Sequence, residues 1–178
     1  LISGLLSIMI IKNISVQKQK YLEQLKVELK EEENKNQLYK IYISSFKYIN
    51  NWDLVDVTCP YITGKHLIDK DRSILYKWAK SDDLWTKRIA MVSTFSFIRQ
   101  NDLEDTFKIA EILLQDKHDL IHKAVGWMLR EAGKRDLEKE EIFLKKYYRD
   151  MPRTMLRYAI EKFPESKRQD YLKGTILE

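Results

Sequence analysis

Leu84-Trp-Thr-Lys-Arg-Ile-Ala-Met91, Asp119-Leu-Ile-His-Lys-Ala-Val-Gly126 and Arg153-Thr-Met-Leu-Arg-Tyr-Ala-Ile160 can be laid over one another. Each carries a basic residue before a small or apolar pair, which aligns Arg88, Lys123 and Arg157 at separations of 35 and 34 residues. A period of that length points to stacked helix pairs, an all-α fold of the α-solenoid kind. The tetratricopeptide signature is absent, so antiparallel pairs of the HEAT type fit better, although their period is usually longer. Equivalent positions of a solenoid project onto one surface. The three cations are therefore expected as a column on a concave face, where a phosphate backbone can meet them. The competing reading is that each pairs with a local acid.

Outward from these segments the chain reads as helices joined by short polar stretches. Helices are expected near 70–80, 83–99, 104–115, 119–133, 137–148 and 152–163, with a short last one near 165–173. Asp82 (or Ser81), Asp102 and Asp150 stand where caps or joints belong. Upstream, Leu22, Leu25 and Leu29 form an apolar stripe, and Lys30-Glu-Glu-Glu-Asn-Lys-Asn36 reads as a solvated helix end or connection. Leu38, Ile41, Tyr42, Phe46 and Ile49 resume a helical period. Asn50-Asn51 can cap the helix that opens with Trp52, and Pro60 and Gly64 interrupt or kink it. No segment sustains the alternation of a strand.

Composition agrees with long helices. Of 178 residues, 44% are apolar and 33% charged, while Gly (5) and Pro (3) are too few for a turn-rich β-fold. A single cysteine, Cys59, excludes an internal disulfide framework and suggests a reducing compartment. The net charge is +5, with a pI near 9.1, a mild bias towards polyanionic partners. The apolar run Leu1–Ile11 is shorter than the roughly 18 residues a membrane span needs. It also lacks the flanks of a signal peptide. It reads as a buried helix whose packing partners lie upstream, so the chain is expected to begin mid-protein.

Several constellations can carry chemistry. Trp52 and Asp56, four apart, share a helix face, as do Trp85 with Arg88 and Lys123 with Trp127. A tryptophan at such spacing is ordinarily core, and an aspartate beside it ordinarily a cap or salt-bridge partner. Trp78, Met128 and Met155 are read as packing residues. His118 and His122 have a zinc-compatible spacing, but no glutamate follows His118 in the metalloprotease manner and Cys59 is distant, so no metal is expected. Cys59-Pro-Tyr-Ile-Thr-Gly64 lacks the phosphate-loop pattern, and no nucleophile elbow is found.

Four blocks taken together resemble the AlkD-like DNA alkylation repair family. They are Asn50-Asn-Trp-Asp-Leu-Val-Asp56, Leu84-Trp-Thr-Lys-Arg-Ile-Ala90, Asp119-Leu-Ile-His-Lys-Ala-Val-Gly-Trp-Met-Leu-Arg-Glu131 and Met151-Pro-Arg-Thr-Met-Leu-Arg-Tyr-Ala-Ile-Glu161. Residues 1–178 are read as one HEAT-like repeat domain, in which 38–174 carry the resemblance and 1–37 are a divergent or truncated front. The resemblance implies an alkylpurine DNA glycosylase, a hydrolase that needs no cofactor and releases cationic bases such as 7-methylguanine and 3-methyladenine from duplex DNA. It implies neither a membrane nor an obligate protein partner.

Carried over by motif, the family's pocket aspartate falls on Asp56, its tryptophans on Trp52 and Trp127, and its essential arginine on Arg88. Arg88 can hold the carboxylate or grip a phosphate, and sequence leaves both open. Lys87, Lys123, Arg130, Arg153 and Arg157 are the expected phosphate contacts, with Arg130 equally able to pair with an acid. Two further readings compete with the enzyme. One is a non-catalytic solenoid binding distorted or branched DNA, and the other a protein-binding scaffold.

Overall fold

The computed structural model describes residues 32–176, and among these every regular element is helical. The readings of Leu1–Ile11 and of the stripe Leu22–Leu29 lie outside the described residues. Helix α1 spans Glu32–Ser44 and is followed by a single 3-10 turn, Phe46–Tyr48. Then come α2 (Trp52–Thr58), a π-helical segment (Pro60–Gly64), α3 (Ser73–Ala79), α4 (Leu84–Ser93) and the short α5 (Phe95–Ile98). The chain continues through α6 (Glu104–Ile112), α7 (Asp119–Gly133), α8 (Leu137–Tyr147), α9 (Arg153–Ala159) and α10 (Glu165–Lys173).

The longest helix shows why the sequence folds this way. In α7, Ile121, Ala124, Val125, Met128, Leu129 and Ala132 are all buried, and they recur at steps of three and four along one stripe. That stripe packs on α9, α4 and α8. In α4 every residue from Arg88 to Ser93 is buried, because α2, α3 and α7 all lie against it. The core thus runs through α4 and α7, with Ile89, Met91, Ile121 and Met128 wholly covered. Trp78 and Met155 are buried as packing residues, Trp78 edge-on to Phe46.

Several boundaries differ from the sequence reading, each for a local reason. The helix expected over 83–99 is two helices, and at the joint Thr94 Oγ1 turns back to the Met91 carbonyl at 2.7 Å. Asp83, not Asp82 or Ser81, caps α4, accepting from the Thr86 amide at 2.7 Å. Asp102 caps nothing and instead binds Arg72 at 2.6 Å. Asn51 does cap α2, accepting from the Asp53 amide at 3.0 Å. The helix expected over 152–163 ends at Ala159 and tightens into a 3-10 turn over Ile160–Lys162.

The interruption expected at Pro60 takes a specific form. Proline has no amide hydrogen to continue the α-ladder, and the Gly64 amide reaches five residues back to the Cys59 carbonyl at 2.8 Å. This π-segment presses on α4 at Gly64, where a Cβ would come within 2.5 Å of the Ser93 carbonyl oxygen. Ser96 Oγ also donates to the Pro60 carbonyl across this joint. These contacts seat α2 against α4 and fix where its polar face points.

Candidate active site

The face of α2 opposite Leu54 and Val55 carries Trp52 and Asp56. Trp52 is 51% exposed, a large apolar surface left outside the core. Asp56 meets Arg88 of α4 in a two-pronged pair, Nε to Oδ1 at 2.9 Å and Nη2 to Oδ2 at 2.7 Å. The remaining guanidinium nitrogen Nη1 donates to the Leu120 carbonyl at the start of α7. Arg88 is only 5% exposed, so its charge is used on Asp56 and on that carbonyl. Planar guanidinium and planar carboxylate make two parallel charge-assisted bonds, which fix orientation as well as charge. Each Asp56 oxygen keeps a further lone pair for another donor.

Helix α7 supplies the next wall. Trp127 is half-buried, tilted against Phe95 of α5 with ring centres 5.8 Å apart. Trp52, Asp56, Arg88, Leu120, Lys123, Trp127, Arg130 and Tyr158 line one concavity of about 410 Å³. The aspartate, the arginine and two tryptophans singled out in the sequence are therefore brought together. Trp85 is not among them and packs against the core.

The cations are distributed less simply. Lys123 and Arg130 line the concavity, but Lys123 is bound to Asp119 at 2.7 Å and Arg130 to Glu161 and Glu131. The hydrogen bond to Asp119 holds the Lys123 ammonium above the ordinary lysine range. Lys87 is paired with Asp116. Burial pushes that aspartate up, yet its bonds to Lys87 and the His118 amide bring it below the ordinary range. Arg153 is exposed and donates to the Leu172 carbonyl at 2.7 Å, and Arg157 is exposed. Neither Arg153 nor Arg157 lines the concavity.

The expected three-cation column is thereby corrected. Arg88 is buried in its aspartate fork, and on α9 the place facing the concavity falls to Tyr158, one residue beyond Arg157. A step of one residue rotates a side chain by about 100° around a helix. Tyr158 and Leu120 were not singled out in the sequence. The signal that bears on Tyr158 is Gly126, where a Cβ would come within 2.5 Å of the Tyr158 Cβ. A glycine at that contact lets α9 lie close on α7.

Three other reactive side chains have structural settings. His118 caps α7 by accepting from the Leu120 amide at 3.2 Å, and a ring nitrogen of His122 lies 2.5 Å from the Asp116 carbonyl oxygen. Cys59 is wholly buried; burial first, and then the Asp56 carboxylate, push its thiol well above the ordinary cysteine value. A thiol held protonated in the core is a poor nucleophile.

A family model described as DNA alkylation repair enzyme matches residues 19–163, a span that takes in every residue lining the concavity. The chain belongs to the DNA alkylation repair enzyme family. The match starts within the stretch 1–37 that the sequence reading set apart, and it ends short of residue 174. No individually curated protein matches the chain. Membership in a family of DNA alkylation repair enzymes implies a DNA substrate. Among the described residues no helix is long and apolar enough to cross a membrane.

Proposed function

We propose that this chain is an alkylpurine DNA glycosylase, releasing positively charged bases such as 7-methylguanine and 3-methyladenine from duplex DNA as the first step of base excision repair. The observation that carries the reading is the Asp56 carboxylate, gripped on both oxygens by Arg88, in one concavity with exposed Trp52 and half-buried Trp127. The helices are read as a HEAT-like solenoid whose concave side holds this site, at a cytoplasmic, nucleoid-associated location.

The chemistry asks for little beyond these groups. A purine alkylated at N7 or N3 carries a positive charge, so the bond from C1′ to the base nitrogen is already weak. That bond breaks with its electrons going to the base, which leaves neutral without needing an acid. Positive charge then develops at the sugar, and a fixed negative charge nearby lowers the barrier. Asp56 supplies that charge in an orientation set before substrate arrives. Water adds to C1′, and a free lone pair of Asp56 takes its proton before solvent does. The faces of Trp52 and Trp127 favour a cation over a neutral base. Lys123, Arg130, Lys87, Arg153 and Arg157 are the proposed phosphate contacts, four of them exchanging a present protein partner for phosphate on binding. No cofactor enters any step.

The test is single-turnover base release from duplex DNA containing 7-methylguanine. Asp56→Asn keeps the shape and removes the charge. It is expected to slow release by roughly 10²-fold or more, about 3 kcal/mol, with DNA affinity little changed. An Asn variant that releases base at the wild-type rate removes the carboxylate from the mechanism. DNA binding without any base release by the wild-type chain favours the non-catalytic reading instead.

A further inference from the structure

Tyr158 is used by nothing described so far. It lies on α9 just before the fully buried Ala159 and Ile160, yet is itself 37% exposed and lines the concavity. Its backbone position is fixed by the close contact at Gly126, the residue next to Trp127. The concavity therefore has aromatic side chains from three helices, Trp52 of α2, Trp127 of α7 and Tyr158 of α9. Its three cations are each tied to an acid: Arg88 to Asp56, Lys123 to Asp119, and Arg130 to Glu161 and Glu131. Several aromatic faces around one carboxylate form a box suited to a cation, since each ring offers its negative face.

We propose that Tyr158 is a further specificity-determining residue, the third aromatic wall of a box that admits a cationic group beside Asp56. The proposal rests on the glycosylase reading and extends it to the far side of the site. In that reaction the cation has two sources, the alkylated base before cleavage and the sugar during it. Both share the chemistry that the ring recognises.

Equilibrium binding separates the sources. One pair of duplexes carries 2′-fluoro-7-methylguanosine or 2′-fluoroguanosine, where the cation is on the base. The other pair carries a pyrrolidine abasic site or its neutral tetrahydrofuran counterpart, where the cation is on the sugar. Tyr158→Leu is expected to lower the preference for the cationic member by about 3- to 10-fold in at least one pair, a cation–π loss of that order. Tyr158→Phe and Tyr158→Trp, which keep an aromatic face, should stay within about twofold of wild type or above it. They remain informative if the leucine variant fails to fold, because a loss of preference in both aromatic variants overturns the proposal. An unchanged preference in both pairs for Tyr158→Leu overturns it as well. Wild-type chain that releases 7-methylguanine but shows no preference in either pair overturns the box alone. Wild-type chain with neither release nor preference overturns the glycosylase reading along with it.

Discussion

Arg88 shows how much one side chain can settle. Sequence left it between orienting a carboxylate and gripping a phosphate; in the fold it is 5% exposed and makes two bonds to Asp56, which favours the orienting role. Lysine at this position keeps the charge and loses the fork. Arg88→Lys should slow base release by about 10-fold, near 1.4 kcal/mol, while leaving affinity for undamaged duplex unchanged. An equal fall in undamaged-DNA affinity would return Arg88 to the phosphate role. The separation of Asp56 and Arg88 by 32 residues is why spacing alone did not reveal the pair. Trp52 and Asp56 were legible together, because four residues on one helix make a local relation.

At the scale of elements, two contacts decide where helices sit. Gly126 is where α7 meets α9, and a methyl group there would collide with the Met155 carbonyl and with Tyr158. Gly126→Ala should cost at least about 2 kcal/mol by overpacking, seen as a melting temperature lower by roughly 4 °C or more. A variant that melts with the wild type means that α9 yields freely. The second contact joins α7 to α8 through Glu140, 2% exposed with its carboxyl against Gly133. Burial, reinforced by the neighbouring Glu141, pushes its carboxyl up to about 8, against the opposing pull of Arg130. The folded form therefore holds a proton that the unfolded chain releases near the ordinary value of 4.5. Its stabilisation is complete below that value and is lost as pH rises through about 8. Glu140→Gln should melt higher than wild type at pH 8.5 and equal to it near pH 4.5, each kcal/mol appearing as roughly 2–4 °C. A difference independent of pH would show that ionisation of Glu140 is not what destabilises the wild type.

For the whole molecule, the net charge of +5 is modest, so the distribution of cations matters more than their number. Lys123, which lines the concavity, is the most informative to remove. Lys123→Ala should weaken binding to damaged and undamaged duplex alike, and the slope of log affinity against log salt should become shallower by about 0.9. A loss confined to damaged DNA would place Lys123 at the lesion and not at a phosphate. The helical character of the described residues, most helix positions and the tryptophan–aspartate face of α2 were legible from the chain alone. Each of these is written within one or two turns, where 3.6-residue periodicity and side-chain caps act locally. It took the packing of the helices to close Arg88 on Asp56, to pair Lys87 with Asp116, and to turn Tyr158 rather than Arg157 to the concavity. Those outcomes depend on how closely helices approach and at what rotation, which small residues such as Gly64 and Gly126 permit but whose partners lie tens of residues away along the chain.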